Sequence, residues 1–244
     1  MARGAVKAPR GGAGHFRTGG NRGGTPGIGI LPGKIICVGL NYSDHAAEQG
    51  SRPPVVPILF AKFANTLCGD GAEIVLPAGI GHVDSEAELA VVIGREARDV
   101  REDDALEVVH GYVCANDVSA RDLQFGDRQW FRGKSQDTFC PIGPGIVPVS
   151  ELADAGDLRV AQRLNGETLQ DSRTSNLIFG VRALVAFVSR ALTLLPGDLI
   201  LTGTPEGVGI FRDPKLPMAD GDVVEVEVEG IGVLRNRVRE AAAT

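Results

Sequence analysis

The chain has 244 residues and a formal net charge of -6, with 43% hydrophobic and 23% charged residues. That balance supplies a sizeable core, while no window approaches the ~20 apolar residues of a membrane span and no fixed period suggests a solenoid or propeller. The four cysteines, Cys37, Cys68, Cys114 and Cys140, form no C-x-x-C pair, which excludes a zinc ribbon or thioredoxin-like motif and reads as buried thiols in a reducing, cytoplasmic setting.

The first segment, residues 1–26, is basic and Gly-rich. Met1 to Gly33 carries Arg3, Lys7, Arg10, Arg17 and Arg22 and no acidic residue. The remainder therefore has 20 basic against 31 acidic residues, too acidic a body to attract nucleic acid. The tail lacks the ~7–15-residue apolar stretch of a secretory signal. Its dense glycines defeat an amphipathic helix that could lie on a membrane. It reads as a disordered extension, followed by a single domain over 27–244 in which order begins near Gly33.

Lys34 to Val38 predicts a short buried strand. Tyr42 to Gln49 predicts a helix stopped by Gly50. Strands are expected at Ile58–Phe63 and Ile74–Leu76, the latter ended by Pro77. Glu86 to Ile93 has strand formers at its distal end. Asp103 to Val109 predicts one or two helical turns, and His110 to Ala115 a strand running into Asn116 and Asp117. Leu164-Asn165-Gly166-Glu167 signals a hairpin, because Asn-Gly accepts the positive φ of a type I′ turn. Val181, Leu184, Val185, Val188 and Leu192 make one apolar helical stripe. Pro196-Gly197-Asp198 turns into the buried strand Leu199–Leu201, and Val223 to Val228 alternates as a half-exposed strand. The fold class is α+β, mainly β.

The informative cluster is Asp84-Ser85-Glu86-Ala87-Glu88 with the later Asn116-Asp117. Strand side chains alternate faces, so Glu86 and Glu88 point the same way. Glu-x-Glu usually marks a solvated face, as Glu225, Glu227 and Glu229 do here. However, Leu89 to Ile93 is apolar on both faces, so this strand reads as buried. A buried carboxylate pair repels unless a cation lies between. A third carboxylate from a neighbouring strand end would complete a set of hard oxygen donors suited to Mg²⁺ or Mn²⁺, with Ca²⁺ also accommodated.

Six segments in order now carry a resemblance. They are Lys34–His45, Glu86–Gly94, Asn116–Asp122, Gly133-Lys134-Ser135, Asn165-Gly166-Glu167 and Thr202–Gly209. The chain resembles the small single-domain branch of the fumarylacetoacetate hydrolase family, nearly collinearly from Gly33 to about Val238. The resemblance implies a largely β roll with a few helices and a homodimer. It implies that Glu86, Glu88 and Asp117 hold the dication, and that His45 and Glu48 form a water-activating dyad on a mobile helix. It implies that Lys134 contacts metal-bound water or the substrate carboxylate, and that Tyr42, Lys62, Arg121, Gln124 and Thr204 lie at the substrate site. Leu40 stands where some relatives place an arginine, which weighs against a diacid substrate.

A 2-oxo acid or β-diketo acid can chelate a hard dication, whose Lewis acidity stabilises an enolate. Three outcomes share that step. Hydrolysis of a C–C bond in an acylpyruvate is the first expectation, with decarboxylation or isomerisation of a 2-hydroxyhepta-2,4-diene-1,7-dioate type as the second. A non-catalytic metal-stabilised binding protein is the third, and the dyad weighs against it. No Gly-x-Ser-x-Gly elbow or His-Glu-x-x-His run is present, which argues against a serine hydrolase or zinc peptidase. Removing residues 1–26 is expected to leave melting temperature and activity unchanged; thermal denaturation of the truncated chain checks this.

Overall fold

The computed structural model describes residues 28–242, and the tail reading for 1–26 lies outside them. In chain order the strands are β1 (Ile35–Gly39), β2 (Ile58–Lys62), β3 (Leu67–Cys68), β4 (Glu73–Leu76), β5 (Val83–Asp84), β6 (Ala87–Ile93), β7 (Val109–Asn116), β8 (Ser119–Ala120), β9 (Cys140–Pro148), β10 (Arg159–Leu164), β11 (Glu167–Arg173), β12 (Leu199–Leu201), β13 (Val223–Val228) and β14 (Gly232–Glu240). The α-helices are α1 (Ser43–Glu48), α2 (Arg121–Gly126), α3 (Phe131–Lys134), α4 (Val149–Leu152) and α5 (Val181–Ala191). The fold is α+β and mainly β, as its strand-forming segments require.

A seven-stranded sheet has the order β2-β1-β12-β6-β7-β9-β3, and a five-stranded sheet the order β11-β10-β13-β14-β4. Strand β6 sits in the middle of the first and is buried throughout. Its alternation sorts the core. Ala87, Leu89, Val91 and Ile93 pack with Val226 and Val228 of the second sheet and with the α5 stripe. Ala90 and Val92 pack on the opposite face with Cys37, Val113, Ala115 and Leu199. Ile30 is buried in that second cluster and Ile28 packs against it, so packing starts before Gly33, earlier than expected.

Asn165 (φ 53) and Gly166 (φ 83) make the hairpin joining β10 to β11, the two positive φ values of a type I′ turn. The helical turns expected over Asp103 to Val109 form as a 3-10 helix over Glu102–Val108, and Val109 opens β7. Strands β9 and β14 and helices α2 and α3 were not expected from the sequence. Strand β9 carries Pro141, Pro144 and Pro148, residues that normally punctuate rather than build a strand. In β14 the buried side chains are Leu234, Asn236 and Val238, between arginines, so its apolar signal is thin.

The turn from β1 into α1 is fixed by Asn41. Its Nδ2 donates to the Phe179 carbonyl at 3.0 Å and the Thr202 carbonyl at 2.8 Å, while Oδ1 accepts from Phe179 N at 2.9 Å. Gly203 lies against it at φ +102, where a Cβ would come within 2.9 Å of the Asn41 Cβ. Both the conformation and the space demand glycine. Gly203→Ala is therefore expected to cost about 1–3 kcal/mol of stability, seen as a lowered melting temperature.

A candidate metal centre and active site

The β6–β7 ladder builds the acidic cluster. Glu88 pairs with Ala115 and Ala87 with Asn116, and the Asp117 N–H donates to the Glu86 carbonyl at 2.9 Å. That register sets Glu86 opposite Asp117, with Glu88 two residues along on the same face. Oxygens of Glu86, Glu88 and Asp117 lie within 4.8 Å of one another, and all three residues are buried.

Cations answer two of these carboxylates. Lys134 Nζ donates to Glu86 Oε2 and Asp117 Oδ2, each at 2.8 Å. Lys62 Nζ donates to Asp117 Oδ1 and, at 3.0 Å, to the Val118 carbonyl. Arg121 reaches Asp84 Oδ1 at 2.7 Å, Glu86 Oε1 at 2.6 Å and Gln124 Oε1 at 2.7 Å. Burial raises Glu86, but Lys134 and Arg121 outweigh it and hold its carboxyl at about 2. Glu88 differs. Among the described residues no cation hydrogen-bonds it, and its Oε2 accepts from Gly203 N at 2.7 Å. Burial drives its carboxyl well above the usual range, and the charges of Asp117 and Glu86 add to this.

The donor chemistry fits a hard dication. Three clustered carboxylate oxygens select Mg²⁺ or Mn²⁺ over softer metals. Four buried carboxylates (Asp84, Glu86, Glu88 and Asp117) face three buried cations (Lys62, Arg121 and Lys134), so the cluster is short of positive charge.

Helix α1 brings the imidazole. Its i, i+3 spacing lets His45 Nδ1 meet Glu48 Oε2 at 2.8 Å, and Glu48 Oε1 accepts from Gly207 N at 2.9 Å. His45, Glu86, Glu88, Asp117, Arg121, Gln124, Lys134 and Thr204 line one cavity. Glu48 stands behind His45. Lys62 lies behind Asp117 rather than in the cavity wall. Tyr42 is also outside the wall: it is fully buried at the start of α1, and its hydroxyl has no protein partner among the described residues. The Thr204 hydroxyl donates to the Ala87 carbonyl at 3.0 Å and accepts from Gln170 Nε2 at 2.8 Å, so it braces its loop.

Sequence reading missed the apolar wall. Phe60 meets Trp130 edge-on at 5.3 Å, and Lys134 Nζ lies 5.2 Å from the Phe60 ring centroid. Phe211 meets the His45 ring edge-on at 5.5 Å. Trp130 is the one tryptophan of the chain, yet nothing in its spacing places it opposite β1. Gln49 also lines the cavity; its i+4 offset from His45 was the signal for it.

The family described as Fumarylacetoacetate (FAA) hydrolase, C-terminal, matches residues 34–239. The chain belongs to the fumarylacetoacetate hydrolase family. It is 46% identical over 209 residues to a mitochondrial oxaloacetate tautomerase of Bos taurus, covering 85% of this chain and 67% of that protein. It therefore spans about two thirds of that relative's length. The crystal structure of a 5-carboxymethyl-2-hydroxymuconate delta-isomerase from Mycobacterium smegmatis is 46% identical with a TM-score of 0.80, covering 88% of this chain and 82% of that one. A 2-hydroxyhepta-2,4-diene-1,7-dioate isomerase from Mycobacterium marinum is 44% identical with a TM-score of 0.79, covering 88% and 78%. Among the described residues, no helix is long and apolar enough to cross a membrane.

The unequal partnering within this family site separates two substitutions. Glu86→Gln strips a counter-charge from buried Lys134 and Arg121, and is expected to cost about 3–5 kcal/mol. Burial already disfavours ionised Glu88 and no cation bonds it, so Glu88→Gln loses no ion pair and the metal-free protein should melt no lower than wild type. If the triad holds Mg²⁺, the ion should raise the melting temperature of the wild type and both variants should lose that rise. Thermal melts with and without Mg²⁺ check this.

Proposed function

We propose that the protein is a dication-dependent enzyme that enolises a 2-oxo acid and moves a proton between its carbon and oxygen or carbon positions, in the tautomerase and isomerase class. One observation carries the reading: the acidic triad and His45 line the same cavity. Glu86, Glu88 and Asp117 would hold Mg²⁺ or Mn²⁺, which when bound supplies Lewis acidity to the keto acid's oxygens.

The chain's own groups do the rest. Glu48 Oε2 accepts from the His45 Nδ1–H, leaving Nε2 as the basic atom. Nε2 takes a proton from the carbon beside the carbonyl and returns it elsewhere, and the Glu48 carboxylate steadies the imidazolium between the two transfers. Lys134 spends two N–H groups on Glu86 and Asp117. Its remaining N–H and positive charge offset the negative charge that develops on substrate oxygen. Leu40, Phe60, Trp130 and Phe211 restrict water. The names of the tautomerase and isomerase relatives support proton relocation as the outcome.

Hydrolysis of a C–C bond is the second reading. It is favoured by the His45–Glu48 pair, which could equally take a proton from water. The assembly is proposed as a homodimer working in the cytoplasm.

The test is a panel of oxaloacetate, acylpyruvates and unsaturated 2-oxo dioates with Mg²⁺ or Mn²⁺. Enol–keto exchange, C–C cleavage and CO₂ release are scored separately. Faster exchange without new carbon fragments is expected; fragments as the main product would replace this reading with hydrolysis. His45→Ala should lower the rate about 10²–10⁴-fold while leaving Mg²⁺ affinity, measured by calorimetry, unchanged.

A further inference from the structure

This inference rests on the function proposed above and concerns the same site. The His45 ring has a partner at each nitrogen. A carboxylate only accepts hydrogen bonds, so Nδ1, facing Glu48 Oε2 at 2.8 Å, carries the ring proton. The neutral ring then leaves a lone pair at Nε2. Gln49 Nε2 stands 2.6 Å from that atom and donates to it. The edge of Phe211 bounds the same ring.

The Gln49 side chain is not what ends the helix. Main-chain bonds do that: Gln49 N to the His45 carbonyl at 3.2 Å, Gly50 N to the Ala47 carbonyl at 3.0 Å and Ser51 N to the Ala46 carbonyl at 2.9 Å. Gly50 takes φ +61 for the reversal. The amide is therefore spent on the imidazole alone among its described contacts.

We propose that Gln49 is a positioning residue for the base. Its N–H₂ donates to Nε2, holds the orientation of the ring that Glu48 keeps in the Nδ1–H tautomer, and covers the Nε2 lone pair until substrate displaces it. After Nε2 has taken a proton, the same amide turns about its terminal torsion and presents Oε1 to accept from Nε2–H. An amide offers a donor and an acceptor in one place, and its terminal torsion turns without backbone motion. Methionine at this position has similar length but no donor, so it leaves the lone pair bare. Glutamate would face the imidazole with a second carboxylate and keep both ring nitrogens protonated.

The experiment uses the full-length chain, metal-free for spectroscopy. Ring ¹⁵N shifts of His45 are assigned by their loss in His45→Gln and compared in wild type, Gln49→Met and Gln49→Glu. Wild type is expected to show Nδ1 protonated and Nε2 unprotonated but hydrogen-bonded. Gln49→Met should keep Nδ1 protonated through Glu48 but shift the Nε2 signal, its hydrogen-bond donor being gone, and its kcat on the 2-oxo acid that wild type turns over should fall by at least about tenfold. Its KM and Mg²⁺ affinity should stay within about twofold. Gln49→Glu should show both nitrogens protonated and a lower kcat still. Gln49→Asn, too short to reach Nε2, repeats the Met arm should that variant fold poorly. Gln49→Met with both the wild-type Nε2 shift and the wild-type kcat overturns the proposal. A wild type inert on every 2-oxo acid, with the Nε2 shift still changed in Gln49→Met, supports Gln49's hold on the ring and overturns the function proposed for it.

Discussion

Buried negative charge is the constraint on which this structure depends. Strand β6 is covered on both faces, and its leading end carries two glutamates into a region with almost no access to water. A carboxylate there is tolerable only when something positive answers it. Lys62, Arg121 and Lys134 come from three separate parts of the chain to do so, each at most 3% exposed. The shortfall falls on Glu88, which has a backbone N–H in place of an ammonium or guanidinium. A hard dication is the natural complement of that arrangement.

Much of this was legible in the chain because it follows from short-range rules. Alternation along β6 placed Glu86 and Glu88 on one face, Asn-Gly announced the β10–β11 turn, and the stripe from Val181 to Val188 announced α5. The dyad came from the family resemblance, and the i, i+3 spacing on a helix added only that His45 and Glu48 can touch. What stayed hidden depends on tertiary placement. No local pattern says that Trp130 will lie against Gly39, where an added Cβ would come within 2.6 Å of the indole. Lys62 was expected at the substrate but stands behind Asp117, because register within the sheet, not sequence spacing, decides on which side of a carboxylate a lysine arrives. Strand β9 was lost among its prolines, which as an isolated segment read as loop.

The same cavity joins two unlike halves. Its floor is ionic, while much of its wall is aromatic and aliphatic, from Phe60, Trp130, Phe211 and Leu40. Low-dielectric walls strengthen every charge on the floor. A chelating keto acid placed there would feel Lys134 and the triad far more than it would in water. Chemistry that develops charge on oxygen gains from this, whichever product leaves.

Glu48 carries one last consequence. One of its oxygens orients the imidazole and the other accepts from Gly207 N, near the C-terminal end of α1, while the first turn is pinned through Asn41 and Asp44. His45 and Glu48 sit on the same helix, so swinging the far end of α1 outward would break the Gly207 bond and leave the contact between imidazole and carboxylate intact. Imidazole and carboxylate would therefore travel as one unit, and the Gly207 latch sets only how near the cavity that unit sits.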